Sequence, residues 1–168
     1  MTVDADLVTV RPAHPTEYDV IGRITVEAYR ASGMIPEGSE YDRQLAAAAA
    51  RAAAAELLVA VTAESEVLGT VTFCGHDNPY AEIARPGEAE FRMLAVAPGA
   101  RGRGIGARLV NAVIDRARAT GARALVLSAP ENAHAAHRLY QRLGFVRIPE
   151  RDWRPIPAVR LLAYQRLL

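Results

Sequence analysis

Two periods of apolar residues run through the chain, and the switches between them mark its elements. Residues 104–120 place Ile105, Leu109, Ala112, Val113 and Ala117 at three- and four-residue spacing among Arg and Asp, the pattern of an amphipathic helix. Val20, Ile21, Ile24, Ala28 and Tyr29 repeat that rhythm over 15–29, with Thr16 near the start as a cap. Between Leu45 and Ala55 the chain holds nine alanines, interrupted only by Arg51. Alanine is the strongest helix former and no breaker intervenes, so 41–56 is predicted to be a helix and not a disordered tract. A further helix is predicted over 132–143, stopped by Gly144 as a C-cap.

Apolar runs of strand length lie at 7–11, 56–62, 67–73, 88–96, 124–128, 145–148 and 159–167. The short link 63–66 makes its two flanking strands antiparallel neighbours. The helix 104–120 lies between 88–96 and 124–128, so those two strands form a parallel pair through a right-handed crossover. The expected fold is a mixed α/β sheet of about seven strands, mostly antiparallel, flanked by about four helices.

Three connections carry polar or stiff residues. Residues 30–40 are a loop by their Gly and Pro content. Residues 75–87 form a long loop with His76, Asp77, Asn78, Pro79, Tyr80 and Glu82, either a wall of a binding site or a surface excursion. Pro149, Pro155 and Pro157 stiffen the link between the last two strands, where Trp153 either covers a site or packs at the core edge.

With 168 residues the chain suits one domain over 1–168, burying roughly two thirds of its unfolded surface. The single cysteine, Cys74, excludes a disulfide framework and reads as a small buried hydrophobe. His76 has no second His or Cys at ligand spacing, so no metal is expected. The chain begins without a basic stretch before an apolar run, and Arg51 and Glu56 interrupt 44–63, so the expectation is a cytoplasmic protein without a membrane span. A formal net charge of +1 gives no general attraction to nucleic acid or membrane. Local charge is more informative: residues 101–123 hold six arginines and one aspartate.

That basic segment begins at Arg101-Gly102-Arg103-Gly104-Ile105-Gly106-Ala107, where a strand breaks at Pro98 and Gly99 into a turn that opens a helix. Glycines there let the backbone approach a ligand, and the first helical amides carry the positive end of the dipole, so an anion such as pyrophosphate is the natural guest. A Walker A loop is excluded, since the chain has no lysine. A dinucleotide loop needs a carboxylate about 20 residues on, where Arg123 stands instead. The third pattern, Arg101-x-x-Gly104-x-Gly106 after a strand ending Leu94-Ala95-Val96, resembles the GNAT superfamily of acetyl-CoA-dependent N-acetyltransferases. His137-Arg138-Leu139-Tyr140-Gln141-Arg142-Leu143-Gly144-Phe145 resembles the same family's tyrosine-bearing helix, which ends at Gly-Phe.

The resemblance implies that the parallel pair splays apart and admits the pantetheine arm of acetyl-CoA. Leu94, Ala95 and Val96 would then bond its amides, while Arg101, Gly102, Arg103, Gly104, Ile105, Gly106 and Ala107 hold the pyrophosphate. It also implies direct acetyl transfer to an amine, with no covalent enzyme intermediate and no metal. An alkyl ammonium of pKa about 10.4 is neutral in only about one molecule in 2,500 at pH 7, so a base is needed. Glu90 matches the family's general-base position, with Glu88 or a water chain as alternatives. Tyr140 matches the tyrosine beside the thioester sulfur, where it either supports the leaving thiolate or simply packs the helix. The family's asparagine at the start of that helix falls here on Ala133, so Asn132 either contacts the cofactor or caps the helix. The acceptor is a small molecule or a protein terminus, and homodimers are common in the family. A non-catalytic acyl-CoA-binding regulatory module of the same fold is the alternative.

Overall fold

The computed structural model describes residues 7–33, 35 and 38–168. The expected loop 30–40 therefore lies partly outside the described residues, at positions 34, 36 and 37. Eight strands form one sheet: β1 (Thr9–Pro12), β2 (Glu56–Val61), β3 (Val67–Gly75), β4 (Glu88–Val96), β5 (Ala124–Pro130), β6 (Val146–Arg147), β7 (Trp153–Ile156) and β8 (Val159–Leu167). The spatial order is β1-β2-β3-β4-β5-β8-β6, with β7 also pairing β8. Every pairing is antiparallel except β4 with β5, the pair joined by the predicted crossover.

Five α-helices cover the two faces: α1 (Tyr18–Ala31), α2 (Tyr41–Ala46), α3 (Ala48–Ala54), α4 (Ile105–Ala119) and α5 (His134–Arg142). Ile105, Leu109, Val113 and Ala117 of α4 pack with Phe91, Leu125 and Leu127 in the larger core, which Tyr140 of α5 and Phe145 just after it close. Ile21, Ile24 and Ala28 of α1 and Ala48 of α3 pack on Leu57, Val59 and Ala95 on the other face.

The structure differs from the sequence expectation in two elements. The alanine-rich helix breaks at Ala47, whose ψ of 60° is not helical. Arg51 fixes the break, since its Nη1 donates to the carbonyls of Gln44 at 2.6 Å and Leu45 at 2.9 Å. An alanine run has no feature that signals this, because the bond is made by a side chain one turn beyond the break. The proline-rich link contains β7, with Trp153 opposite Leu161 and Ile156 opposite Val159. Asp152 anchors its start by accepting the Ala163 amide at 2.8 Å and pairing with Arg147 and Arg160. Pro155 is tolerated because β7 pairs through one edge only.

The decisive irregularity is in β4. Partners on β3 step from Thr72↔Arg92 to Thr70↔Ala95, so Val71 alone faces Met93 and Leu94, and Met93 takes φ +54°. Such a bulge bends the strand and resets its two-residue alternation. Before it, Ala89 and Phe91 face the α4 core; after it, Leu94 and Val96 pack there, while Ala95 turns to α1. Pairing of β4 with β5 stops at Glu90↔Val126, although β4 runs on to Val96 and β5 to Pro130.

Candidate active site

The chain past the bulge leads straight into the glycine turn. Gly104 is the N-cap of α4 with φ +76°, and no side chain caps the helix. Gly102 has φ +75°, and a Cβ built on either residue would meet nothing within 4 Å. Left-handed backbone, not crowding, therefore requires glycine at both positions. Gly106 has the opposite reason: a Cβ there would lie 3.1 Å from Leu139 Cδ2, so its absence lets α4 approach α5. Ile105 is buried while residues 101–104 are exposed, which anchors the helix and leaves its first amides facing solvent. Those amides, at the positive end of a four-turn helix, suit a phosphate.

Beside this turn the separation of β4 from β5 leaves a narrow cavity of about 70 Å³, lined by Arg92, Met93 and Leu94 on one side and Leu127, Ser128 and Ala129 on the other. Ala97 donates to the Leu68 carbonyl at 2.8 Å. Alternation along an antiparallel ladder then turns the backbone groups of Leu94 and Val96 to the open side, and those of Ala95 to β3. Trp153 Nε1 donates to Ser128 Oγ at 3.3 Å, so the tryptophan supports the wall of the cavity from outside.

Tyr140 reaches this cavity from α5. Its ring packs against Phe91, Phe145 and Tyr164 at centroid distances of 5.8, 6.0 and 5.9 Å. Burial pushes its phenol well above the usual range, with the neighbouring Tyr164 adding to the effect. The hydroxyl has no hydrogen-bond partner among the described residues, which leaves it available to a ligand.

Glu90 is fully buried, and its carboxylate gathers the amides of Glu82, Ile83 and Ala84 at 2.8 to 3.1 Å. Burial raises its pKa against the opposing pull of those amides. With its lone pairs engaged, Glu90 holds the loop after β3 rather than facing the cavity. Glu88, the alternative base, is likewise committed: Arg151 pairs with it at 2.6 Å, and the Arg85 amide and Gln165 complete its contacts. Burial pushes its pKa up, but Arg151 and the Arg85 amide outweigh this and hold it below the usual range.

The loop that Glu90 holds presents Glu82. Its carboxylate pairs with Arg92 Nε at 2.5 Å, and Arg92 also donates to the Tyr80 carbonyl and to the Tyr41 hydroxyl, each at 3.1 Å. Burial pushes the Glu82 carboxyl up to about 7, opposed by Arg92 and reinforced by Glu90. Its side chain is 23% exposed, so it is reachable where Glu90 is not. The sequence offers Glu82 only as one of several loop acids that could attract a cation and gives Arg92 no role, because nothing in the residue order signals their pairing.

Asn132 does not join this group. Its amide donates to the Gly33 carbonyl at 3.4 Å, and the N-cap of α5 is Ala133, which lines the cavity itself. Cys74 is buried, which pushes its thiol up to about 12, as suits a packing residue. Among the described residues no group of three or more His, Cys, Asp or Glu is arranged to hold a metal ion, and no helix is long and apolar enough to cross a membrane.

The site is thus an uncapped helix start beside a splayed parallel pair in a mixed α/β sheet. The chain belongs to the acetyltransferase (GNAT) family, whose model matches residues 21–145. A GCN5-related N-acetyltransferase from Kribbella flavida is 27% identical, with 97% of this chain and 99% of that one covered at a TM-score of 0.71. YncA from Salmonella typhimurium, assigned as an acetyltransferase and solved with acetyl-CoA, is 24% identical over 96% of this chain and 94% of its own, with a TM-score of 0.68. A GNAT-family acetyltransferase from Staphylococcus aureus shares the fold at 14% identity, covering 96% of this chain and 99% of its own with a TM-score of 0.74. No curated protein matches the sequence. Family and fold support acetyl transfer as the general activity.

Proposed function

We propose that the protein transfers the acetyl group of acetyl-CoA directly to an amine. The observation that carries this reading is the meeting of the uncapped α4 start with the β4–β5 opening, into which Tyr140 turns. The amides from Arg101 to Ala107 would take the pyrophosphate, and the open backbone of Leu94 and Val96 the pantetheine and thioester carbonyl. The ammonium of the acceptor gives its proton to Glu82, whose pKa of about 7 matches working pH. The neutral nitrogen attacks the thioester carbon, the C–S bond breaks, and the second amine proton leaves with the thiol or to solvent. Tyr140 donates a hydrogen bond to the departing sulfur. Full transfer from a phenol near 10 to a thiolate near 8.5 is uphill by about 2 kcal/mol in water, and the raised phenol pKa makes it more so.

The test is thiol release from acetyl-CoA over a panel of amines, with mass detection of the acetylated product. Transfer to at least one amine is expected, and Glu82→Gln lowers kcat by about 10²- to 10⁴-fold. CoA binding without transfer to any amine, unchanged by Glu82→Gln and Tyr140→Phe, favours a non-catalytic acyl-CoA-binding module instead.

A further inference from the structure

Near the Arg92–Glu82 pair lies a second buried cation, for which the described residues offer no acid partner. Arg51 sits in α3, whose other residues are all alanine, yet its side chain turns inward and is 0% exposed. Nη1 spends its hydrogens on the carbonyls of Gln44 and Leu45. Nε and Nη2 are buried without a partner among the described residues. Those two nitrogens form one edge of the guanidinium, the planar fork that matches both oxygens of a carboxylate. The groups that bear most on Arg51 electrostatically are Tyr80, Tyr29, Tyr41 and Arg92, none of them a carboxylate. Arg92 already has Glu82, so the excess positive charge rests on Arg51. Burying such a charge is costly, and the cap that Arg51 gives to the end of α2 uses Nη1 alone, leaving the other edge of the fork unspent. A second orphan is Thr72 Oγ1, buried without a partner among the described residues and directly across the strands from Arg92.

We infer that the acceptor is an amine that also carries a carboxylate, of the α-amino acid type. Its ammonium faces Glu82, and its carboxylate docks on the Nε/Nη2 edge of Arg51. Each charge of the zwitterion then meets an opposite one, the ammonium at Glu82 and the carboxylate at Arg51. Uncharged esters or amides of the same amine leave the fork empty, and a site built around a buried polar group rejects a ligand that lacks the matching group. This inference rests on the acetyl-transfer reading for its chemistry, and on Arg51 alone for its carboxylate.

The experiment measures kcat/KM with acetyl-CoA for a set of amino acids, each beside its primary amide and its decarboxylated amine. The native enzyme is expected to favour the acids by about a hundredfold or more. Arg51→Met should erase the difference while the KM for acetyl-CoA moves less than about twofold, and Arg51→Lys should restore part of it. Amides or decarboxylated amines used as well as the acids overturn the inference, whether or not the variants fold. So does an unchanged preference in folded Arg51→Met. If no amine of any kind is acetylated, the transfer reading fails on its own. The carboxylate site is then judged by thermal unfolding in the presence of CoA: acids that raise Tm where amides do not uphold it, and equal or absent shifts reject it.

Discussion

At the scale of single residues, the two glutamates of the acceptor side divide their labour by environment. Glu90 is sealed under three amides, and Glu82 sits at the surface of the same loop with a carboxyl near 7. The native enzyme should therefore gain kcat/KM as pH rises through about 7, the range in which Glu82 loses its proton. Glu82→Gln should remove that limb from a pH–rate profile. Glu90→Gln should instead cost about 2 kcal/mol of stability, read by denaturant unfolding, because an amide nitrogen would be brought against backbone donors. Tyr140→Phe should lower kcat about 10- to 100-fold, the worth of one hydrogen bond to a charged sulfur, with KM for acetyl-CoA nearly unchanged. The sequence pointed to Tyr140 through its helix and its Gly-Phe ending. It said less about the surroundings of Glu90, because a strand position says nothing of which amides a loop will bring to a carboxylate.

At the scale of elements, glycines and turns decide geometry. Gly104→Ala forces a side chain into φ +76° at a cost of about 1–2 kcal/mol and tilts the first amides of α4. It should raise the KM for acetyl-CoA more than it lowers kcat. The start of α1 offers a test of pH linkage. Arg11 donates to both oxygens of Glu17 at 2.8 Å, and the His14 amide adds a bond at 2.7 Å. Arg11 foremost, with that amide, holds the Glu17 carboxyl at about 2 against burial. A depressed carboxylate pKa gives stability that is present above the ordinary value near 4.5 and lost as pH falls through about 2. Glu17→Gln should therefore cost about 2–3 kcal/mol at neutral pH, and the gap between variant and native should shrink steadily below pH 4. The elements themselves were largely legible, since amphipathic helices and apolar strands carry their own period. The break at Ala47 was not, because Arg51 makes it by folding its side chain back onto carbonyls a turn earlier in the same alanine-rich run.

At the scale of the whole molecule, the sheet holds a gap that packing could have closed, and the bulge at Met93 maintains it. CoA bound across this gap should stabilise the fold by about 2.7 kcal/mol at a hundredfold excess over Kd. For a chain of this size that corresponds to roughly 5–10 °C in Tm, readable by thermal unfolding. No shift at saturating CoA argues against the cradle.

The sequence by itself determined the order of helices and strands, the parallel crossover, the glycine turn at the start of α4 and the tyrosine helix, because each is encoded within one stretch of neighbouring residues. Only the tertiary structure decided where β4 bulges, which glutamate is sealed and which is reachable, and that Arg51 lies buried near Tyr29, Tyr41, Tyr80 and Arg92. Those outcomes depend on partners far apart in the chain, as when Arg92 meets Tyr41 across 51 residues. Periodicity records which face a residue prefers, and the contact that gives it a role forms only when separate elements close on one another.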